Sequence, residues 1–322
     1  MELTEEKRKQ IAALGEDEKR KRIAELRAEL KELQATPRSD WHKAFEALLR
    51  LTIYKYKGVS IQTEVEIGVD APRMDYMILT EEKEQEFEES IFKIFRQTNV
   101  LEFKRPSDAL NWRVIYKIIG YAGLLIGTAE HENDMPKDQV TISIFRSVKN
   151  PELFKEMEES GELVRTETPG IYHVTGLTKL PFQIVITSEL EGEEYAAYRA
   201  LTDRAGETDI ERVIDDLENE TNDVLKDYYG IFLNLIAEKN LDVFAEIRRD
   251  DAMKYPALMK VFEEDVNAQI NEKVRAQEQK TTVDHLKDIM ESFKCTIEQA
   301  MDVLHISQDE RATYAGLVQK KM

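Results

Sequence analysis

The sequence lacks most of what would mark a secreted mini-domain or a membrane protein. A single cysteine, Cys295, in 322 residues excludes a disulfide framework and any cysteine-rich zinc or iron–sulfur site. No apolar run approaches the about 20 residues needed to cross a bilayer, and the opening MELTEEKRKQ has no signal-peptide core. Neither Gly-x-Gly-x-x-Gly nor a Walker loop occurs, so dinucleotide and P-loop nucleotide binding have no support. The histidines at 42, 131, 173, 285 and 305 show no metal-ligand spacing, which assigns them to surface or packing roles. Positive charge is scarce as well: 45 Lys and Arg stand against 64 Asp and Glu, a net charge of −19. Taken whole, that balance disfavours coating nucleic acid or an acidic membrane. The expectation is a soluble, cytoplasmic protein.

What is present is unevenly distributed. Residues 1–40 are net 0, residues 41–127 are net −1, and residues 128–322 carry the remaining −18. The global charge therefore does not decide what residues 41–127 bind.

The pattern along the chain predicts three parts: a helical extension over 1–38, an α/β core over 39–190, and a largely helical region over 191–322. Residues 3–35 contain no proline and carry an apolar stripe at Ile23, Leu26, Leu30 and Leu33. The segment TPRSD breaks this helix, and Ser39 or Asp40 caps a second over about 41–56, with Trp41, Phe45, Leu48, Leu49 and Leu51 as buried candidates. Period-two alternation at Ile61, Thr63, Val65 and Ile67 then reads as a strand. RMDYMIL (73–79) is a second strand entered through Ala71-Pro72, and NVLEFK (99–104) a third, separated by a charged excursion at 81–98. Ser107 or Asp108 is a candidate cap for a helix over 109–127, and QVTISIFR (139–146) is a fourth strand. A β-hairpin is expected at 170–174 and 182–186. Capping-box patterns sit at Thr296 with Gln299 and at Ser307 with Glu310.

The chemistry-bearing residues are Asp75, Glu102 and Lys104. On a strand, residues 102 and 104 share a face. If the second and third strands pair, Asp75 brings another carboxylate to the same place. Two carboxylates on rigid strands plus a backbone carbonyl suit Mg²⁺, which prefers oxygen ligands. A neighbouring lysine can orient a water or stabilise charge on a phosphoryl transition state. The triplet acid-x-Lys occurs six times in the chain, but only the 102–104 copy lies in an apolar strand. The plainer alternative is a salt-bridged pair at a solvated strand end.

The order helix, three strands, helix, strand, with Asp on the second strand and Glu-x-Lys on the third, resembles the PD-(D/E)XK nuclease superfamily. The stretch TEVEIGVDAPRMDYMIL…NVLEFKRPSDALNWRVIYKIIGYAGLL is similar to its transposase and recombination-promoting nuclease group, over roughly residues 41–150. The tail TIEQAMDVLHISQDER also resembles that group, less specifically. The resemblance implies a restriction-endonuclease-like αβββαβ core and a Mg²⁺- or Mn²⁺-dependent nuclease that hydrolyses phosphodiester bonds in DNA. It makes Asp75, Glu102 and the Phe103 carbonyl the metal ligands and Lys104 the residue that positions water. An assisting acid is expected at Glu66 or Glu64, with Glu66 nearer the turn. The superfamily's Pro-Asp pair is not literal here, since Pro72 precedes Asp75 by three residues. Arg113, Lys117 and Tyr121 on the following helix are candidates for contact with a phosphate backbone.

Two other readings fit the residues. One is a catalytically silent form acting through protein contacts, as a homodimer or with a basic partner engaged by the acidic helical region. The other is a regulator that binds DNA without cutting it.

Overall fold

A computed structural model of the chain describes residues 5–35, 40–66, 73–81, 85–129, 135–250 and 264–320, together with Leu258 and Phe262. It is a mixed α/β structure. Contacts divide it into two units, Met1–Lys239 with Tyr255–Phe262, and Asn240–Lys254 with Glu263–Met322. These units do not follow the compositional breaks after 38 and 190. Leu26, Leu30 and Leu33 of helix α1 (Glu5–Ala35) are buried with Ala47 of helix α2 (Asp40–Ile53) and with Val224, Leu225 and Tyr228 of the helix Asp223–Lys239. The apolar stripe of α1 thus packs on its own unit, where burying each leucine is worth about 1.5–3 kcal/mol.

The first unit is built on one seven-stranded sheet. Its strands are β1 (Val59–Glu66), β2 (Arg73–Thr80), β3 (Thr98–Lys104), β4 (Val140–Arg146), β5 (Leu163–Arg165), β6 (Ile171–Val174) and β7 (Phe182–Ile186). Their order across the sheet is β1-β2-β3-β4-β7-β6-β5. The β3–β4 and β4–β7 pairs are parallel and the other four antiparallel. The expected hairpin is therefore β6–β7 of this same sheet. Helix α3 (Trp112–Gly127) connects β3 to β4, so the order helix, three strands, helix, strand is present. The expected Ser39 cap and the Ile67 and Ala71-Pro72 readings lie outside the described residues.

Both faces of the central strands are covered, so β3, β4 and β7 are buried along nearly their whole length, polar positions included. On one face Phe45 of α2 stacks on Phe103 with ring centroids 4.4 Å apart and also meets Phe145 at 5.3 Å. On the other, Val100, Ile142, Ile144, Ile184 and Ile186 pack with Ile115 and Ile118 of α3 and with Leu153 and Met157 of helix α4 (Pro151–Glu159). The sequence reading missed α4 and β5. Helix α4 is nine residues long with three buried positions, and β5 has three residues, too short for periodicity to register.

One local expectation is corrected. Helix α3 is capped by Asn111, whose side chain accepts the Val114 N–H at 3.2 Å, and not by Ser107 or Asp108. Asp108 instead accepts the Arg105 N–H at 3.2 Å and pairs with its guanidinium at 2.8 Å, closing the turn that leaves β3. The excursion between β2 and β3 carries apolar residues of its own among its described residues. Phe87, Ile91, Phe92 and Phe95 are buried there, with Phe92 and Phe95 rings 4.8 Å apart.

The second unit is helical among its described residues. Helix Glu264–Phe293 packs with Ile297–Val303 and Gln308–Lys320 around Val283, Leu286, Ala300 and Met301. The capping box of Thr296 with Gln299 is formed in both directions. Among the described residues no helix is long and apolar enough to cross a membrane.

Candidate functional site

The strand register brings Glu64, Asp75 and Glu102 to the same level of three adjacent strands, where the β2–β3 ladder ends. The β1–β2 register pairs Thr63 with Tyr76 and Val65 with Met74, which sets Glu64 opposite Asp75. The β2–β3 ladder ends at Tyr76 with Leu101, and one step further the same register sets Asp75 beside Glu102.

Where the ladder stops, Asp75 takes over its hydrogen bonding. Its Oδ2 accepts the Phe103 N–H at 3.0 Å, so a side chain replaces the missing backbone acceptor. His42 of α2 comes to the same oxygen, with Nε2 3.6 Å away, too long for a hydrogen bond but close enough for charge to matter. The His42 ring stands edge-on to Phe103 at 5.7 Å, and the Tyr76 hydroxyl donates to the His42 carbonyl at 2.8 Å. Packing alone does not describe this histidine. Nothing in its spacing along the chain marks it, because α2 and β2 meet only in the fold.

Glu102 is the most enclosed member, with 1% of its side chain exposed. A buried carboxylate needs compensating charge. Here Lys104, two residues along the strand, and Lys117, from α3, both donate to the same Oε1, each at 2.5 Å. Lys104 is itself largely buried, whereas Lys117 keeps 36% of its side chain exposed. Burial works to lower the Lys117 pKa, but the hydrogen bond and charge of Glu102, helped by Tyr121 and Asp75, hold it above the usual lysine value.

The remaining expected residues are distributed as follows. Glu66 lies at the exposed end of β1, paired with Arg73 at 2.6 Å, and is not the acid opposite Asp75. Glu64 holds that place, with φ +51°, a left-handed backbone that few residues other than glycine adopt. Tyr121 is buried in the α3 core with the Lys117 ammonium 5.2 Å above its ring, so it is a packing residue and not a surface contact. Arg113 is exposed on α3.

Comparison with protein-family models, curated proteins and solved structures finds no match. The site rests on its own geometry.

That geometry offers hard oxygen donors and mobile ammonium groups. Among the described residues no three His, Cys, Asp or Glu side chains converge closely enough to hold a metal ion. Asp75, through its bond to the Phe103 N–H, and Glu102 flank the Phe103 backbone. Because the N–H and C=O of one strand residue point the same way, the Phe103 carbonyl faces the β2 side, where Asp75 already takes its N–H.

Proposed function

We propose that this chain is a divalent-metal-dependent nuclease of the PD-(D/E)XK kind, with a restriction-endonuclease-like core, that hydrolyses phosphodiester bonds in DNA. The observation that carries the reading is the buried Glu102 with two lysines drawn onto it, next to Asp75 on the Phe103 N–H of the same strand. The donor chemistry fits Mg²⁺ or Mn²⁺: all candidate ligands are oxygen, and Glu102 already attracts two cationic groups to one oxygen. In the bound state Asp75, Glu102 and the Phe103 carbonyl would hold the ion, which would supply Lewis-acid polarisation of the phosphoryl group.

The chain's own residues do the rest. Asp75 is fixed by the Phe103 N–H and flanked by His42, so its carboxylate is aimed before substrate arrives. Lys104 sits on rigid strand backbone two residues from Glu102, where its ammonium orients the attacking water and faces the negative charge carried by the non-bridging phosphate oxygens. Lys117, half in solvent, is the group free to follow a non-bridging phosphate oxygen.

The test is cleavage of plasmid and single-stranded DNA with Mg²⁺ or Mn²⁺. Asp75→Asn should abolish cutting, and Lys104→Met should slow it about 10²–10³-fold, the usual loss when one preorganised charge-stabilising group is removed. Cleavage unchanged in both variants overturns the assignment.

One observation favours a second reading. Glu102 with Lys104 and Lys117 is already charge-compensated, an arrangement that suits a silent member acting by protein contact. Calorimetry showing no Mg²⁺ or Mn²⁺ uptake at millimolar metal, with the fold intact, would select it.

A further inference from the structure

Helix α3 presents an exposed face that the packing among the described residues of the first unit does not use. Tyr116 is 58% exposed and its ring stacks on Trp112, with centroids 5.9 Å apart and planes at 30°. Trp112 is held from behind: its Nε1 donates to Glu156 of α4 at 3.0 Å and its ring packs on the core cluster. The pair is therefore an anchored aromatic step with an open outer ring. Arg113 and Lys117 flank it, and residues 112–127 contain no acid in a chain of net −19. Gly120 and Gly123, one and two turns further on, have nothing within 4 Å of where a side chain would begin. The residue after Tyr116 is Lys117, whose ammonium touches Glu102.

We propose that Tyr116, backed by Trp112, is a stacking platform for an unpaired base of single-stranded DNA whose backbone runs past Arg113 and Lys117 into the site. The inference rests on the nuclease reading for its direction and goes beyond it in naming the strandedness of the substrate. An exposed ring flanked by cations is the arrangement that binds single strands without sequence readout, because every base has a π-face. Duplex bases are stacked on one another and do not offer that face. The open glycine surface lets a sugar–phosphate chain lie close to the helix. The occupant is an anionic polymer and not an apolar helix: the charged residues of α3 beside the platform are Arg113 and Lys117, and the one carboxylate bonded to it, Glu156, is engaged behind Trp112 by its Nε1–H.

The experiment measures binding, so that it is independent of cleavage. Fluorescence anisotropy with labelled oligothymidylate and a blunt hairpin of equal length is run in EDTA on the full chain. Wild type should prefer the single strand. Tyr116→Ala should weaken single-strand binding at least about fivefold, the loss of one base–aromatic stack, with little change for the hairpin. Tyr116→Phe, which keeps the ring, should bind like wild type. Equal losses on both DNAs, no loss on either, or loss in Tyr116→Phe overturns the platform, as does failure of wild type to bind the single strand. An oligouridylate that outbinds the thymidylate overturns the choice of DNA. Single-strand binding that depends on Tyr116, without cutting in Mg²⁺, keeps the platform and rejects the nuclease. Asp75-dependent cutting without an effect of Tyr116 does the reverse.

Discussion

Two buried glutamates in the first unit are compensated in different ways. Glu46 on α2 is 3% exposed and is gripped by Arg50 through Nε at 3.0 Å and a second guanidinium nitrogen at 2.7 Å, while Arg50 also reaches Glu29 of α1. Glu102 on β3 is 1% exposed and is held by two lysines through a single oxygen. Arginine presents a planar fork that fixes geometry, and here it ties two helices together with 7% of its side chain exposed. Lysine is a point charge on a flexible stem. The first cluster is closed and structural. The second has one lysine, Lys117, with 36% of its side chain exposed, that can leave. Burial of a carboxylate therefore does not by itself mark a site; the exchangeability of its partners does.

The sharpest way to break this contrast is to remove one partner from each. Arg50→Ala takes the guanidinium away from the buried Glu46 and should cost about 3–5 kcal/mol, read as a large fall in the urea midpoint. The double change Glu46→Leu with Arg50→Met should recover most of that loss, because Glu29 retains Arg22 at 3.6 Å. Removing a lysine from Glu102 should cost less, since the second lysine remains. If Arg50→Ala is the milder change, the distinction between clamp and site fails.

How far the two regions were legible in the sequence follows from their geometry. Asp75, Glu102 and Lys104 could be read because strand alternation and an i, i+2 spacing are local. The strand order up to β4 was also readable, since each strand is an apolar run with a clear break after it. The pairing of Glu64 with Asp75 depends on register across a connection, and no residue pattern chose between Glu64 and Glu66. His42, and Lys117 as a partner of Glu102, are contacts between elements far apart in sequence, visible only once α2 and α3 cover opposite faces of the sheet. The same holds for the Glu29–Arg50 pair: Arg50 reads as an ordinary polar residue late in an amphipathic helix until α1 is laid beside it.

A smaller effect separates the clusters by pH. The Lys117 pKa is raised in the folded state above its ordinary 10.5, so its contribution to stability is complete below that value and is lost as pH rises through the higher folded pKa. Lys117→Met should therefore lower the urea midpoint relative to wild type at pH 8, and the gap should narrow between pH 10 and 11. A gap that stays constant or widens across that range would show that Lys117 acts by packing over Tyr121 and not by charge.

The smallest stability effects belong to the two candidate assisting acids, and they decide which of them is part of the site. Glu66 and Arg73 are 60% and 61% exposed, and such surface pairs contribute between about 0 and 1 kcal/mol. Glu66→Gln should shift unfolding by less than about 0.5 kcal/mol and leave DNA cleavage unchanged. Glu64→Gln keeps the size of the side chain at the left-handed position and removes only its charge, so the fold should also persist. Its effect should appear in cleavage, slowed about 10–100-fold as for groups that orient metal ligands, with the loss partly relieved by raising Mn²⁺. Cleavage that falls in Glu66→Gln and not in Glu64→Gln would mean that the acid nearer the turn swings back over β2, and that the set of acids read from the strand register is not the set the substrate meets.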